Sequence, residues 1–232
     1  GVDYRHLSSL AIGTADNYVV TSRNLDAVLS LARDGRGLQW TLSPTIASDF
    51  TFATDADKFY DPHDVTQTSN TTLTLVDDGN ARPACNFDDT SHQGCFSRAI
   101  ELELDFETME AKVTWQFEFP TLLANTGDLR EAERGDVFNE VGGSVTRLGD
   151  AASNASATDD FLVAFPAIDD SDDNATSVGY ETFVYQVARD GGIVGALGLP
   201  ALPSWGTAGR YRVEPTSTVY GESSTCPFAG GC

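Results

Sequence analysis

The chain repeats itself. A unit of four short apolar runs occurs three times in order, with a tight hairpin before the fourth run and a connection of variable length after the second. The first unit reads His6-Leu-Ser-Ser-Leu, Asn17-Tyr-Val-Val-Thr, Asp26-Ala-Val-Leu-Ser-Leu, the turn Arg33-Asp-Gly-Arg-Gly, and Leu38-Gln-Trp-Thr-Leu. The second reads His63-Asp-Val-Thr, Thr72-Leu-Thr-Leu-Val, Ser97-Arg-Ala-Ile-Glu-Leu-Glu-Leu, the turn Asp105–Glu110, and Val113-Thr-Trp-Gln-Phe. The third reads Gly143-Ser-Val-Thr-Arg-Leu, Phe161-Leu-Val-Ala-Phe, Thr182-Phe-Val-Tyr-Gln-Val, the turn Ala188-Arg-Asp-Gly-Gly, and Ile193–Leu197. Period-two alternation and β-branched residues mark these runs as strands. Helical periodicity is nearly absent; its best candidate, Leu25–Ala32, is short. Four antiparallel strands per repeat is the blade of a β-propeller. The expected fold is therefore all-β, a β-propeller of four-stranded blades. A last strand at Tyr211–Tyr220 begins a further unit or closes an earlier one. Propellers typically have four to eight blades, so about three and a half blades are expected to be an incomplete part of a larger propeller of about six. Residues 1–222 would be these blades, and 223–232 a disulfide-closed tail. A self-contained β-sandwich is the alternative for the same strands.

Charge and cysteines narrow the setting. The 232 residues carry 35 acids against 14 bases, a formal charge of −21. Such a surface repels nucleic acid and anionic lipid. Apolar residues at 41% distinguish the chain from a disordered acidic polymer. No apolar run is long enough for a membrane helix. Residue 1 is Gly with no signal-like segment after it, so the start is expected to be a processed or cut end. Cys85 and Cys95 flank a polar loop, and Cys226 and Cys232 flank a Gly-rich tail. Two short-range disulfides suit this spacing best, although four cysteines allow three pairings; zinc is the rival use, and the spacings do not favour it. Asn70, Asn154 and Asn174 each head an Asn-x-Ser/Thr sequon. Sequons together with disulfides point to a secreted glycoprotein, extracellular or in the secretory pathway.

Three histidines are present, and two open the first strand of their unit. In a propeller that strand lines the central channel. Arg23 follows the second strand of the first unit, and the connection there emerges on the same face of the disc. His6, His63 and Arg23 are therefore expected near one channel mouth, where two imidazoles and a guanidinium would suit an anion. Hydrogen bonds between blades, with an ordinary ion pair at Arg23, are the alternative use of these positions. His92 falls in the loop between Cys85 and Cys95 and is expected in solvent. Asp170, Asp172 and Asn174 have the spacing that opens a calcium loop, but the Gly expected next is absent, so a solvated acidic loop is preferred. Asp77-Asp78-Gly79-Asn80 has the composition of a turn. Trp40 and Trp115 recur in the fourth strand and are expected to pack between blades. Ser204-Trp205-Gly206 is a candidate rim contact.

Several segments resemble one known family in collinear order. They are Asp3-Tyr-Arg-His-Leu-Ser-Ser-Leu, Val20-Thr-Ser-Arg-Asn-Leu-Asp-Ala-Val and Gly37-Leu-Gln-Trp-Thr-Leu, then Asp61-Pro-His-Asp, Leu75-Val-Asp-Asp-Gly-Asn, Ser97-Arg-Ala-Ile-Glu, Val113-Thr-Trp-Gln-Phe and Tyr211-Arg-Val-Glu. Together they are similar to the arylsulfate sulfotransferase (ASST-like) family, whose pattern has a His-Asn-Ser-Val-type strand, a Ser-x-Arg strand end and a Gly-x-Ile-x-Trp strand. The resemblance implies a β-propeller that moves a sulfuryl group from an aryl sulfate to a phenolic acceptor, without a nucleotide sulfate donor. It implies His63 as the nucleophile that becomes a sulfohistidine, with His6 and Arg23 stabilising charge on the sulfuryl oxygens and the leaving phenolate. It requires no cofactor and no metal. The family pattern has a further functional His upstream of the matched segment, and more often Gln-His where this chain has Pro62-His63. The implied partners are aryl sulfates and phenols, with an upstream segment or partner chain completing the propeller, or a homo-oligomer or larger assembly. A second expectation is a non-catalytic glycoprotein that uses the same scaffold as a wall, surface or filament component.

Overall fold

The computed structural model describes residues 4–14, 16–86, 94–119, 142–149, 159–166, 182–199 and 213. His92, Asn154, Asn174, Asp170, Asp172, Trp205, Cys226 and Cys232 lie outside them, as do the tail at 223–232 and the expected last strand apart from Val213.

The described chain is all-β, with no α-helix. The first sheet is β1 (Leu7–Ile12), β2 (Asn17–Ser22), β3 (Ala27–Ala32) and β4 (Leu38–Leu42), paired in sequence order. The second is β5 (Thr51–Phe52), β6 (Pro62–Gln67), β7 (Thr72–Asp77), β8 (Arg98–Asp105) and β9 (Glu110–Glu118), in spatial order β5-β9-β8-β7-β6. The third is β10 (Ser144–Arg147), β11 (Phe161–Pro166), β12 (Thr182–Val187) and β13 (Ile193–Leu199), again in sequence order. Each repeat of the sequence is thus one four-stranded antiparallel meander. The segment with weak helical character becomes strand β3; its first residue ends the 3₁₀ turn Arg23–Leu25, and a second such turn, Asp55–Asp57, precedes β6. Its Ala27-Val28 and Leu29 pair with β2, and a half-buried sheet position suits β-branched and apolar residues better than an isolated short helix. The addition to the expected pattern is β5, which pairs in parallel with the outer edge of β9 through Thr51–Glu110 and Phe52–Ala111.

The sheets stack in a row with two apolar layers between them. Val19, Val28, Trp40 and Leu42 of the first sheet meet Leu73, Leu75, Ile100, Leu102 and Leu104 of the second. The opposite face of the second sheet gives Val76, Ala99, Trp115, Phe117 and Phe119 to Val145, Phe161, Val163, Phe165, Phe183 and Tyr185 of the third. Strand alternation makes this possible: Leu73 and Leu75 point one way, Val76 the other. Trp40 meets Phe50 edge-on at 5.7 Å in the first layer, and Trp115 stacks on Phe161 at 3.7 Å in the second. Both tryptophans therefore pack between sheets. Each fully buried aromatic or aliphatic side chain contributes roughly 1.5–3 kcal/mol.

The first strands of the sheets lie side by side and are laced by side chains. Ser8 Oγ donates to the Pro62 carbonyl (2.8 Å), and Val65 N donates to Ser9 Oγ (3.0 Å), joining β1 to β6. Val145 N donates to Asp64 Oδ2 (3.0 Å), joining β6 to β10. Ser144 Oγ then donates to the Val213 carbonyl (3.2 Å) and accepts from Val213 N (3.0 Å). Val213 therefore meets β10 much as β10 meets β6. Leu10, Ile12 and Leu38 remain 62%, 63% and 58% exposed on the face of the first sheet turned away from the second, and among the described residues no strand packs over them.

Candidate functional site

The site lies at the start of β6, where the chain departs from regular strand. His63 pairs with Val76, but the next pair is Thr66–Thr74, so β6 holds one residue more than β7. Asp64 takes up the excess with φ +52°, and Asp61 has φ +51°. His6 (φ +42°) and Asp26 (φ +46°) are also left-handed. Asp tolerates this region better than most residues, because its short carboxylate bonds locally. Left-handed non-glycine residues gather at functional sites more often than elsewhere.

His63 is wholly buried. Its Nδ1 lies 2.8 Å from Asp78 Oδ2 and 3.2 Å from the Asp61 carbonyl oxygen. Asp78 follows the end of β7, and its side chain is fully buried too. The pairing of His63 with Val76 explains the meeting: Asp78 stands two residues beyond Val76 and so on the same face. Gly142 N donates to Asp78 Oδ2 (3.1 Å), and Ser97 Oγ donates to the Asp78 carbonyl (3.0 Å). Gly142 and Gly143 lead into β10 over this pair. At φ +107°, a Cβ on Gly143 would lie 2.9 Å from the Ala164 carbonyl oxygen and 3.1 Å from Val76, so this close approach requires glycine.

Burial pushes the Asp78 carboxyl up to about 6, against the pull of His63 and Arg23, and nearby Asp61 adds to the rise. Asp61 is also raised, chiefly by burial, while Arg23 and the Ala81 N–H oppose the shift. Arg23 sits in the 3₁₀ turn after β2 with Nη1 3.6 Å from Asp61 Oδ1. Arg23 and His63 are thus brought to opposite ends of one residue, Asp61, which holds the guanidinium by its carboxylate and the imidazole by its carbonyl. His6 precedes β1 and is exposed; its carbonyl accepts from Arg23 N (2.9 Å). His6 therefore joins the group through its backbone, outside the strand, whereas His63 lies within one.

The connection from β7 to β8 closes one side. Ala81 N donates to Asp61 Oδ2 (2.8 Å), and Gly79 N donates to the Tyr60 carbonyl (3.0 Å). Arg82 pairs with Asp77 Oδ2 (2.6 Å), and its guanidinium lies 4.0 Å from the Phe96 ring centroid. Cys85 and Cys95 form a disulfide across the same connection. Asn70 is exposed in the β6–β7 hairpin at the far end of these strands, accepting from Thr14 Oγ1 (3.0 Å). Among the described residues, no cluster of three or more His, Cys, Asp or Glu side chains could hold a metal ion, and no helix is long and apolar enough to cross a membrane.

Sequence reasoning read Asp78 as part of a turn and Gly143 as the start of a repeat. The available signal was parity: an acid two residues past the partner of a strand histidine shares its face. Chemically, the assembly can hold an imidazole in one orientation beside a fixed carboxylate, with a guanidinium near by.

Residues 1–160 match the family described as Arylsulfotransferase (ASST). None of the curated proteins compared with the chain matches it. The family match covers more than two thirds of the sequence, runs from β1 through β10, and includes His6, Arg23, His63, Asp78 and Gly142. The chain belongs to the arylsulfotransferase (ASST) family.

Proposed function

We propose that this chain carries the nucleophile for sulfuryl transfer from an aryl sulfate to a phenolic acceptor, through a sulfohistidine at His63 and without a nucleotide sulfate donor. The observation that carries the reading is the buried His63–Asp78 contact of 2.8 Å, inside the segment that matches the family. The Nε2 lone pair of His63 attacks sulfur, and the S–O bond to the aryl group breaks. The electron pair leaves with the aryloxide, which takes a proton from solvent and departs as a phenol. The imidazole becomes an N-sulfo cation, and Asp78 supplies the opposing charge. In the second half, the acceptor's phenolic oxygen attacks sulfur. The S–N bond returns its electron pair to Nε2, and the acceptor's proton passes to solvent. Arg23 and His6 stabilise the sulfuryl oxygens and the departing aryloxide.

The same reading takes the three sheets as blades of a larger propeller, residues 1–222, followed by a tail at 223–232 closed by Cys226 and Cys232. The exposed apolar face of the first sheet supports it, since a face of this kind ordinarily meets another element. A further stretch of chain, or a partner, would complete the disc. The Cys85–Cys95 disulfide suits an oxidising compartment, extracellular or secretory, where Asn70, Asn154 and Asn174 would be glycan acceptors.

The test is incubation of the chain with a chromogenic aryl sulfate and a simple phenol, followed by peptide mass analysis. Expected are phenol release and an acid-labile sulfo group on the His63 peptide, both lost in His63→Gln. A wild-type protein that releases no phenol and carries no label overturns the reading. One observation favours a second reading: His63 has no solvent exposure. A histidine sealed in this way serves as an internal fastening between the sheets, and the chain is then a non-catalytic wall, surface or filament component. An unlabelled but folded protein supports that use.

A further inference from the structure

We propose that Asp78 is the positioning residue of His63, holding it as the Nδ1–H tautomer so that Nε2 carries the lone pair. A backbone carbonyl oxygen can only accept a hydrogen bond. The 3.2 Å contact of the Asp61 carbonyl with His63 Nδ1 therefore requires a proton on Nδ1. The ionised Asp78 carboxylate is likewise an acceptor, 2.8 Å from the same nitrogen. Two acceptors converge on one ring nitrogen, and a neutral imidazole has only one N–H to offer them. The lone pair is then on Nε2, the nitrogen on the far side of the ring.

The carboxylate is itself fixed. Gly142 N donates to the Oδ2 atom that faces His63, at 3.1 Å, and Ser97 Oγ fastens the Asp78 carbonyl at 3.0 Å. The Cys85–Cys95 disulfide closes the connection that runs from Asp78 to Ser97. Asp78 is thus held from the residues that lead into β10 and into β8, at the start of a connection that the disulfide closes. The charged and titratable groups around the pair are Arg23 from the turn after β2, Asp61 from the entry to β6, and Asp77 and Arg82 from the end of β7 and its connection. Among them Arg23 offsets the Asp61 charge nearest the ring.

This inference deepens the sulfuryl-transfer reading and rests on it for any kinetic consequence, but its first readout does not depend on turnover. The chain has three histidines, so ¹⁵N-histidine labelling of the full chain gives three pairs of ring signals, and His63→Gln assigns the pair of interest. The expected result at neutral pH is a protonated-type Nδ1 and a pyridine-type Nε2 for His63. Asp78→Leu, which keeps the size but removes the acceptor, leaves only the longer Asp61 carbonyl contact on Nδ1 and is expected to convert this to mixed tautomers. An Nε2–H tautomer in the wild type overturns the proposal, whether or not the variant folds, and so does an unchanged tautomer in Asp78→Leu. The second readout is the rate of sulfo-His63 formation from the chromogenic aryl sulfate. Asp78→Leu is expected to slow it by about 10³–10⁴-fold, the scale of a wrong-tautomer defect, with KM for the sulfate little changed. A rise in KM with an unchanged limiting rate also overturns the proposal. If the wild type shows the expected tautomer and gains no sulfo group, the transfer reading falls and the assignment of Asp78 stands.

Discussion

Arg98, 3% exposed at the start of β8, uses four of its five N–H donors within the second sheet and its flanks. Nε donates to Asp77 Oδ2 (2.8 Å), and Nη1 donates to Gln116 Oε1 (2.7 Å). Nη2 donates to the carbonyls of Ala56 (3.1 Å) and Lys58 (2.7 Å). The planar fork therefore joins β7, β9 and the segment leading into β6, and Asp77 is itself fully buried beneath it. Removing the guanidinium strands two carbonyls and leaves Asp77 with Arg82 and the Tyr60 N–H. Arg98→Ala is expected to cost about 3–5 kcal/mol, the scale of a broken buried ion pair. Arg98→Lys keeps the charge but not the fork, so it is expected to fall between the two. Urea unfolding of the three proteins checks this; a loss below about 1 kcal/mol in Arg98→Ala would show that water or a neighbouring side chain replaces the guanidinium.

At the scale of the element, β6 shows what alternation hides. Its extra residue between His63 and Thr66 places Asp64 in the left-handed region, where the carboxylate accepts from Val145 N of the next sheet. Asp64→Asn keeps a short side chain with an acceptor oxygen and is expected to stay within about 1 kcal/mol of the wild type. Asp64→Val places a β-branched residue at positive φ and strands the Val145 N–H. It is expected to lose about 2–5 kcal/mol, from about 1–2 for the backbone and 1–3 for the buried donor. Equal thermal midpoints for the two variants would overturn this account of the bulge. The strands themselves were legible in the sequence, because period-two runs bounded by Gly and Asp survive any tertiary context. The two-residue β5 was not, because two residues have no period. The likeness between His6 and His63 was read from spacing, and β1 and β6 do share a one-residue irregularity just after the histidine. Pairing begins one residue before His63 but one residue after His6, so His63 sits inside its strand while His6 lies before one. The Asp78 contact was hidden for a related reason: only the pairing of β6 with β7 brings residues 63 and 78 to one face. Topology alone put Arg23 towards the same mouth as the histidines; its contact with Asp61 depends on how the turn after β2 meets the entry to β6, which spacing does not give.

For the whole molecule, the formal charge of −21 and the buried carboxyls act in the same direction. Asp26, Asp61 and Asp78 all have carboxyls raised by burial, Asp78 to about 6 from 3.8. For each, protonation favours the folded state. The stabilisation is complete below the unfolded value and is lost as the pH rises through the folded one, so for Asp78 the window runs from about 3.8 to about 6. Asp55 and Asp105, lowered by hydrogen bonds to Lys58 and to the Thr108 and Glu107 backbone respectively, act in the opposite sense only at lower pH. Acidification from pH 7 to 5 also weakens self-repulsion among the surface acids. The thermal midpoint is therefore expected to rise over this interval; Asp78, titrating across about one pH unit of it, contributes about 1.4 kcal/mol, or roughly 3–6 °C at about 2–4 °C per kcal/mol. Asp78→Asn, which cannot titrate, is expected to flatten the slope between pH 6 and 5. Added salt is expected to raise the midpoint at pH 7 more than at pH 5, because screening matters most when the charge is greatest. Scanning calorimetry of the wild type and Asp78→Asn at three pH values and two salt concentrations separates the contributions. A wild-type midpoint that falls on acidification at both salt concentrations would mean that the buried acids are held as carboxylates by partners stronger than Arg23 and His63. A salt-sensitive rise that persists unchanged in Asp78→Asn would assign it to the surface alone.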